Sequence, residues 1–156
     1  MKVSDTFANT QYERILFTHL SGDTANYVYK RLLDELGGST QIELINHEQA
    51  LMAAKALQLG SQLSTLRPNE LAAVAKYLNA QAYFTGQVRS GAMAITESTT
   101  IHSSIQLDLV DVQSGKTMTS SFVEQTSVSR MMLESQSLKD AATKTAQRYA
   151  KTLQSL

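Results

Sequence analysis

The chain has 156 residues and no cysteine, and its 14 basic residues balance 14 acidic ones. That length fits one domain with its own core, and the missing thiols exclude disulfides, thiolate zinc sites and cysteine nucleophiles. Lys30-Arg31 is the only adjacent basic pair, so the basic stripe of a nucleic-acid binder is lacking.

Residues 1–11 are expected to be a flexible segment, and residues 12–156 a single domain. "MKVSDTFANTQ" has no apolar core, so it is not a signal peptide as written. No apolar run approaches the ~20 residues of a membrane helix. The first strand is "YERILFTH", centred on Ile15, Leu16 and Phe17. The first helix runs from about Thr24 to Leu36, with Asp23 as its cap and Gly37-Gly38 as its stop. "QIELI" is a short second strand. Asn46 and Gln49 form a capping box for the second helix, whose inward residues are Leu51, Ala54 and Leu57. Pro68 opens the third helix at its preferred first turn, and Leu71, Val74, Ala75 and Leu78 form its stripe. Asn79 ends it in a left-handed conformation.

The third strand spans Gln81 to about Val88. In "TIHSSIQLDLVDV", Ile101, Ile105, Leu107 and Leu109 alternate with His102, Ser104, Gln106 and Asp108, which gives a strand with one wet face. "DVQSGKT" is a hairpin turn, and "TMTSSFVEQTSV" the returning strand. Ser137 and Asp140 read as the capping box of a last helix with stripe Leu138, Ala142, Thr145, Ala146, Tyr149 and Leu153. The order β-α-β-α-α-β-β-β-α implies an α/β (α+β) fold. It has one mixed sheet with an antiparallel C-terminal meander, and helices packed on the sheet.

Motifs of chemistry fail on context. Gly86 is followed by more strand, not by a helix N-terminus, so it marks a bulge or close backbone approach rather than a phosphate loop. Gly115-Lys116-Thr117 ends like a nucleotide-binding loop, but position 110 is Val and a strand follows. Gly115 is instead a left-handed turn residue. His19, His47 and His102 lie on three elements without ligand spacing, and His47 and His102 read as surface residues. Asp108 and Asp111, three apart in a strand, point to opposite faces. No serine sits in a nucleophile elbow. No catalytic, cofactor-binding or metal-binding residue is therefore expected, and neither a cofactor nor an enzyme activity.

Two segments read as a partner interface. "VRSGAMAITESTTI" (88–101) is a mobile loop or a hairpin extending past the sheet, and the loop is preferred. Arg89, Met93 and Ile95 are its interface candidates. "SRMMLES" (129–135) supplies Met131 and Met132, which either tuck under the last helix or face a partner.

Four stretches together carry a resemblance: "RILFTHLSGDTANYVYKRLLDEL", "IELINHEQALMAAKALQLG", "LAAVAKYLNAQAYFTGQV" and "IQLDLVDVQSGKTMTSSF". Over about residues 12–153 the series is similar to bacterial envelope proteins of the curli-secretion (CsgG-like) group. That group includes lipoprotein activators of penicillin-binding proteins (LpoB-like) and resembles the N-terminal domain of TolB. The resemblance implies a noncatalytic periplasmic domain, lipid-anchored at the outer membrane, that works by contact with another envelope protein. No lipobox cysteine is present, which fits a chain starting downstream of one. The 81–112 hairpin is too polar beyond Ile95 to cross a bilayer, which speaks against a channel. The alternatives are a small-molecule- or nucleotide-binding domain, which would show a pocket with perturbed titratable groups, and a self-assembling structural protein.

Overall fold

The computed structural model describes residues 2–3, 12–39, 41–60, 62–95, 98–128 and 134–154. Its strands are β1 (Lys2–Val3), β2 (Arg14–Phe17), β3 (Glu43–Ile45), β4 (Ala82–Ile95), β5 (Ser98–Asp111) and β6 (Thr117–Val128). Its α-helices are α1 (Tyr27–Ser39), α2 (His47–Ala56), α3 (Pro68–Tyr77) and α4 (Glu134–Gln154). The strands form one mixed sheet in the order β1-β6-β5-β4-β2-β3. β2 runs parallel to both β3 and β4, and β4-β5-β6 is an antiparallel meander. This is the α+β architecture that the chain order implies. Within the 1–11 segment, Lys2–Val3 pairs with Ser120 and Thr119 of β6.

Alternation along the strands feeds two cores. Ile15, Phe17, Phe84, Ile105, Leu107 and Leu109 cluster with α1 and α4. Leu16, Ile45, Tyr83 and Val110 cluster with α2 and α3. The first core is aromatic. Phe17 lies 5.0 Å from Tyr29 and 5.1 Å from Phe84, and Phe84 lies 5.1 Å from Tyr149, all tilted or edge-on. Each such pair adds roughly 0.5–1.5 kcal/mol beyond area burial. The Tyr149 hydroxyl is fully used, donating to the Leu107 carbonyl at 2.6 Å and accepting from Thr119 Oγ1 at 2.9 Å. The second core is built on small residues: Ala50, Ala53 and Ala54 of α2 and Ala75 of α3 are buried. They take the deepest positions, while Leu51 and Leu57 pack at the margin.

Several local signals hold. Asn46 Oδ1 accepts from the Gln49 amide and Gln49 Oε1 from the Asn46 amide, which closes the capping box of α2. Pro68 opens α3, and Asn79 is left-handed at φ 58°. A Cβ on Gly86 would sit 2.3 Å from the Gln106 carbonyl oxygen, so the strand glycine does serve a close backbone approach. Two helix boundaries differ. α1 continues through Gly37-Gly38 to Ser39, at a cost of about 1 kcal/mol per glycine. Asp23 caps it from a distance, its carboxylate accepting from the amides of Val28 (3.0 Å) and Tyr29 (2.8 Å) across an intervening 3-10 turn. α4 begins at Glu134, which places Ser137 and Asp140 inside the helix rather than at its cap. Its stripe is otherwise as expected, with Ala142, Thr145, Ala146, Tyr149 and Leu153 buried.

Candidate interaction surface

β4 and β5 stay paired from Ala82↔Asp111 to Ile95↔Ser98. The 88–101 region is therefore two strand arms rather than the preferred mobile loop. A ladder is held by backbone groups, so it does not need the apolar alternation that the sequence lacks there. Arg89 pairs with Ser104, Met93 with Thr100 and Ile95 with Ser98. The structure thus places three of the five interface candidates on one strand. Met131 and Met132 lie outside the described residues.

The two faces of the meander differ sharply. Beneath α4 lie Ile105, Leu107, Leu109 and Val123, all buried. On the other face lie Arg89, Ser104, Gln106, Asp108, Phe122 and Glu124, and none is buried. Registry sets them in rows across the strands: Arg89–Ser104–Glu124, then Gln87–Gln106–Phe122. Phe122 is 53% exposed although its neighbours in the row are polar. Gln106 Nε2 donates to Asp108 Oδ1 (2.7 Å) and Ser120 Oγ (2.8 Å), and Ser120 Oγ donates to Asp108 Oδ1 (2.7 Å). His102 lies 4.0 Å from Glu124 and 3.2 Å from Thr126 Oγ1. Such a face is polar and cross-linked by hydrogen bonds around one exposed ring, a pattern found at protein interfaces.

The other two histidines do converge. His19 and His47 stack with ring centroids 3.4 Å apart and planes 4° from parallel. The His19 amide donates to His47 Nδ1 at 3.0 Å, and the His47 amide donates to the Tyr29 hydroxyl at 2.9 Å. An amide can only donate, so a neutral His47 carries its proton on Nε2. Burial, and then the neighbouring His19, lower the His47 pKa to about 4. Burial also lowers that of His19. His47 is therefore half-buried and engaged rather than an ordinary surface residue. The signal was available: each histidine follows the carboxyl end of a strand, "RILFTH" and "ELINH", and adjacent parallel strands bring their exits together. Among the described residues no group of three His, Asp or Glu could hold a metal ion. No described helix is long and apolar enough to cross a membrane.

The family model for the peptidoglycan-synthase activator LpoB matches residues 18–124. The chain belongs to the LpoB family. Among curated proteins no sequence matches. Among solved structures, the LpoB C-terminal domain from Salmonella enterica is 18% identical with a TM-score of 0.53, over 78% of this chain and 86% of that one. The lipoprotein GNA1162 from Neisseria meningitidis is 13% identical with a TM-score of 0.60, over 88% and 98%. The PelC dodecamer from Paraburkholderia phytofirmans is 15% identical with a TM-score of 0.55, over 84% and 83%. At these identities the likeness is one of fold. Of the groups named from the sequence, the family match selects the LpoB-like activators. Its span runs from the exit of β2 into β6, and so takes in the paired part of the β4–β5 hairpin and most of the open face.

Proposed function

We propose that this chain is the noncatalytic periplasmic domain of an outer-membrane lipoprotein, and that it activates a peptidoglycan synthase by docking on it. The observation that carries the reading is the LpoB family match over residues 18–124. The docking surface is the open face of the meander together with the far arms of the β4–β5 hairpin, with Arg89, Met93 and Ile95 on β4 and Met131 and Met132 after β6. Phe122 is the anchor of that face. Interfaces draw their energy from a few aromatic and Arg residues within a polar surround.

The test is binding to a peptidoglycan synthase of the same bacterium, read as Kd and as stimulation of glycan polymerisation. Phe122→Ala with Arg89→Glu is expected to weaken binding at least about tenfold, which corresponds to about 1.4 kcal/mol, with an unchanged Tm. Full binding by a variant that also carries Met93→Asp, Ile95→Asp, Met131→Ser and Met132→Ser would remove this surface from the reading.

A further inference from the structure

The chain reverses direction around β2. α1 leads from β2 to β3 across one face, and α2 and α3 lead from β3 back past β2 to β4 across the other. In open sheets with parallel strands, ligands settle outside the carboxyl ends of the strands where the connections diverge. At that place a cleft of ≈ 420 Å³ opens between the exits of β2 and β3, the start of α3 and the middle of β4. Its volume is within the ordinary range for small-molecule sites.

The lining has a definite chemistry. One wall is apolar, from Leu51, Leu63, Leu66 and Leu71. The rest is uncharged, mainly polar at Thr18, His19, Ser21, His47, Gln62 and Thr85, and apolar again at Leu20. No described lining residue is Asp, Glu, Lys or Arg. The His47 imidazole is fixed at Nδ1 by the His19 amide and stacks on the His19 ring, which meets Tyr29 edge-on, so the pair forms a plate with an Nε2–H on His47. The α2 N-terminus offers little to an anion. The His47 amide is donated to Tyr29 and the Gln49 amide to Asn46. A phosphate or carboxylate entering here would lose water without gaining a counter-charge. A ligand that presents hydroxyl and amide groups, an apolar methyl group and no charge would satisfy every wall.

We propose that this cleft is a binding site for an uncharged N-acetylated sugar. The ring lies against the His19–His47 plate, its hydroxyls meet the Ser, Thr and Gln side chains, and the acetyl methyl meets the leucine wall. The site borders the meander face at Thr85, which pairs with Asp108, but it contains none of the docking candidates and does not depend on the docking reading.

The experiment is an amide chemical-shift titration of the whole chain with N,N′-diacetylchitobiose. Saturable shifts at Thr18, His19, Ser21, His47 and Thr85, with a Kd on the order of 1 mM, are expected. Thr85→Leu and His19→Ala, each checked for an unchanged Tm, are expected to weaken binding at least about tenfold. An absence of saturable shifts would overturn the proposal. Equal binding of the disaccharide lacking both acetyl groups would overturn the acetyl assignment. Stronger binding of adenosine monophosphate at the same residues would overturn the uncharged class.

Discussion

The two faces of the β4–β5–β6 meander share one backbone and divide its side chains by purpose. Leu107 and Phe122 lie one register step apart, since Gln106 pairs with Phe122 and Leu107 with Ser121. Leu107 is fully buried, whereas Phe122 is 53% exposed. Alternation alone makes that division, because successive strand residues point to opposite faces. The buried face is paid in fold stability and the open one is free for contact, so substitutions on the two faces should move different observables.

The sharpest way to break this comparison is to truncate both residues. Leu107→Ala is expected to cost about 2–5 kcal/mol in denaturant unfolding. Phe122→Ala is expected to stay within about 0.5 kcal/mol of the parent. Similar costs for both would mean that the open face is covered and that its contact role must be withdrawn. Tyr149→Phe sharpens the buried side. It keeps the ring and removes a hydroxyl that serves Leu107 and Thr119, so a loss of about 1–3 kcal/mol is expected by the same measurement.

The smallest effect is electrostatic and lies away from the meander, at His47. The unfolded side chain takes up a proton near pH 6.5, while the folded one does so only near about 4. Its neutral form is favoured by folding, so its contribution is complete above about pH 6.5 and is lost as pH falls toward about 4. A Tm lower by a few degrees is expected across that window. The slope should flatten in His47→Ala, as followed by thermal melts at fixed ionic strength. Parallel curves for the two proteins would show that the imidazole stack does not resist protonation.

Much of the fold was legible in local chemistry. Asn46 with Gln49, Pro68, Asn79 and Gly115 act through their own backbone and nearest neighbours, and each does what its residue type dictates. The strand at Ile105, Leu107 and Leu109 announced itself by burying one face. Signals failed where tertiary packing decides. Ser137 and Asp140 match a cap, but the helix starts at Glu134. Gly37-Gly38 match a stop, but α1 passes through them. The far arms of the hairpin are held by backbone pairing that side chains do not advertise. For the site, Arg89, Met93 and Ile95 could be grouped from the sequence because they fall in one short segment, though it reads as a loop and proves to be a strand. The His19–His47 stack is not evident from spacing, because the two histidines are 28 residues apart and their strand exits point to it only once β2 and β3 are parallel neighbours.

The parallel pairing of β2 with β4 joins Ile15 to Ala82, whereas β4 and β5 meet across a connection of residues 96 and 97. Closing a long loop loses more chain entropy than closing a short one, and distant pairings slow folding. The meander therefore closes across a short connection, whereas β2 joins β4 only across a loop that holds α1, β3, α2 and α3. The surface assigned to protein contact rests on the local pairings. The cleft beside His19 and His47 needs the distant pairings as well, so its presence reports that the whole sheet is complete.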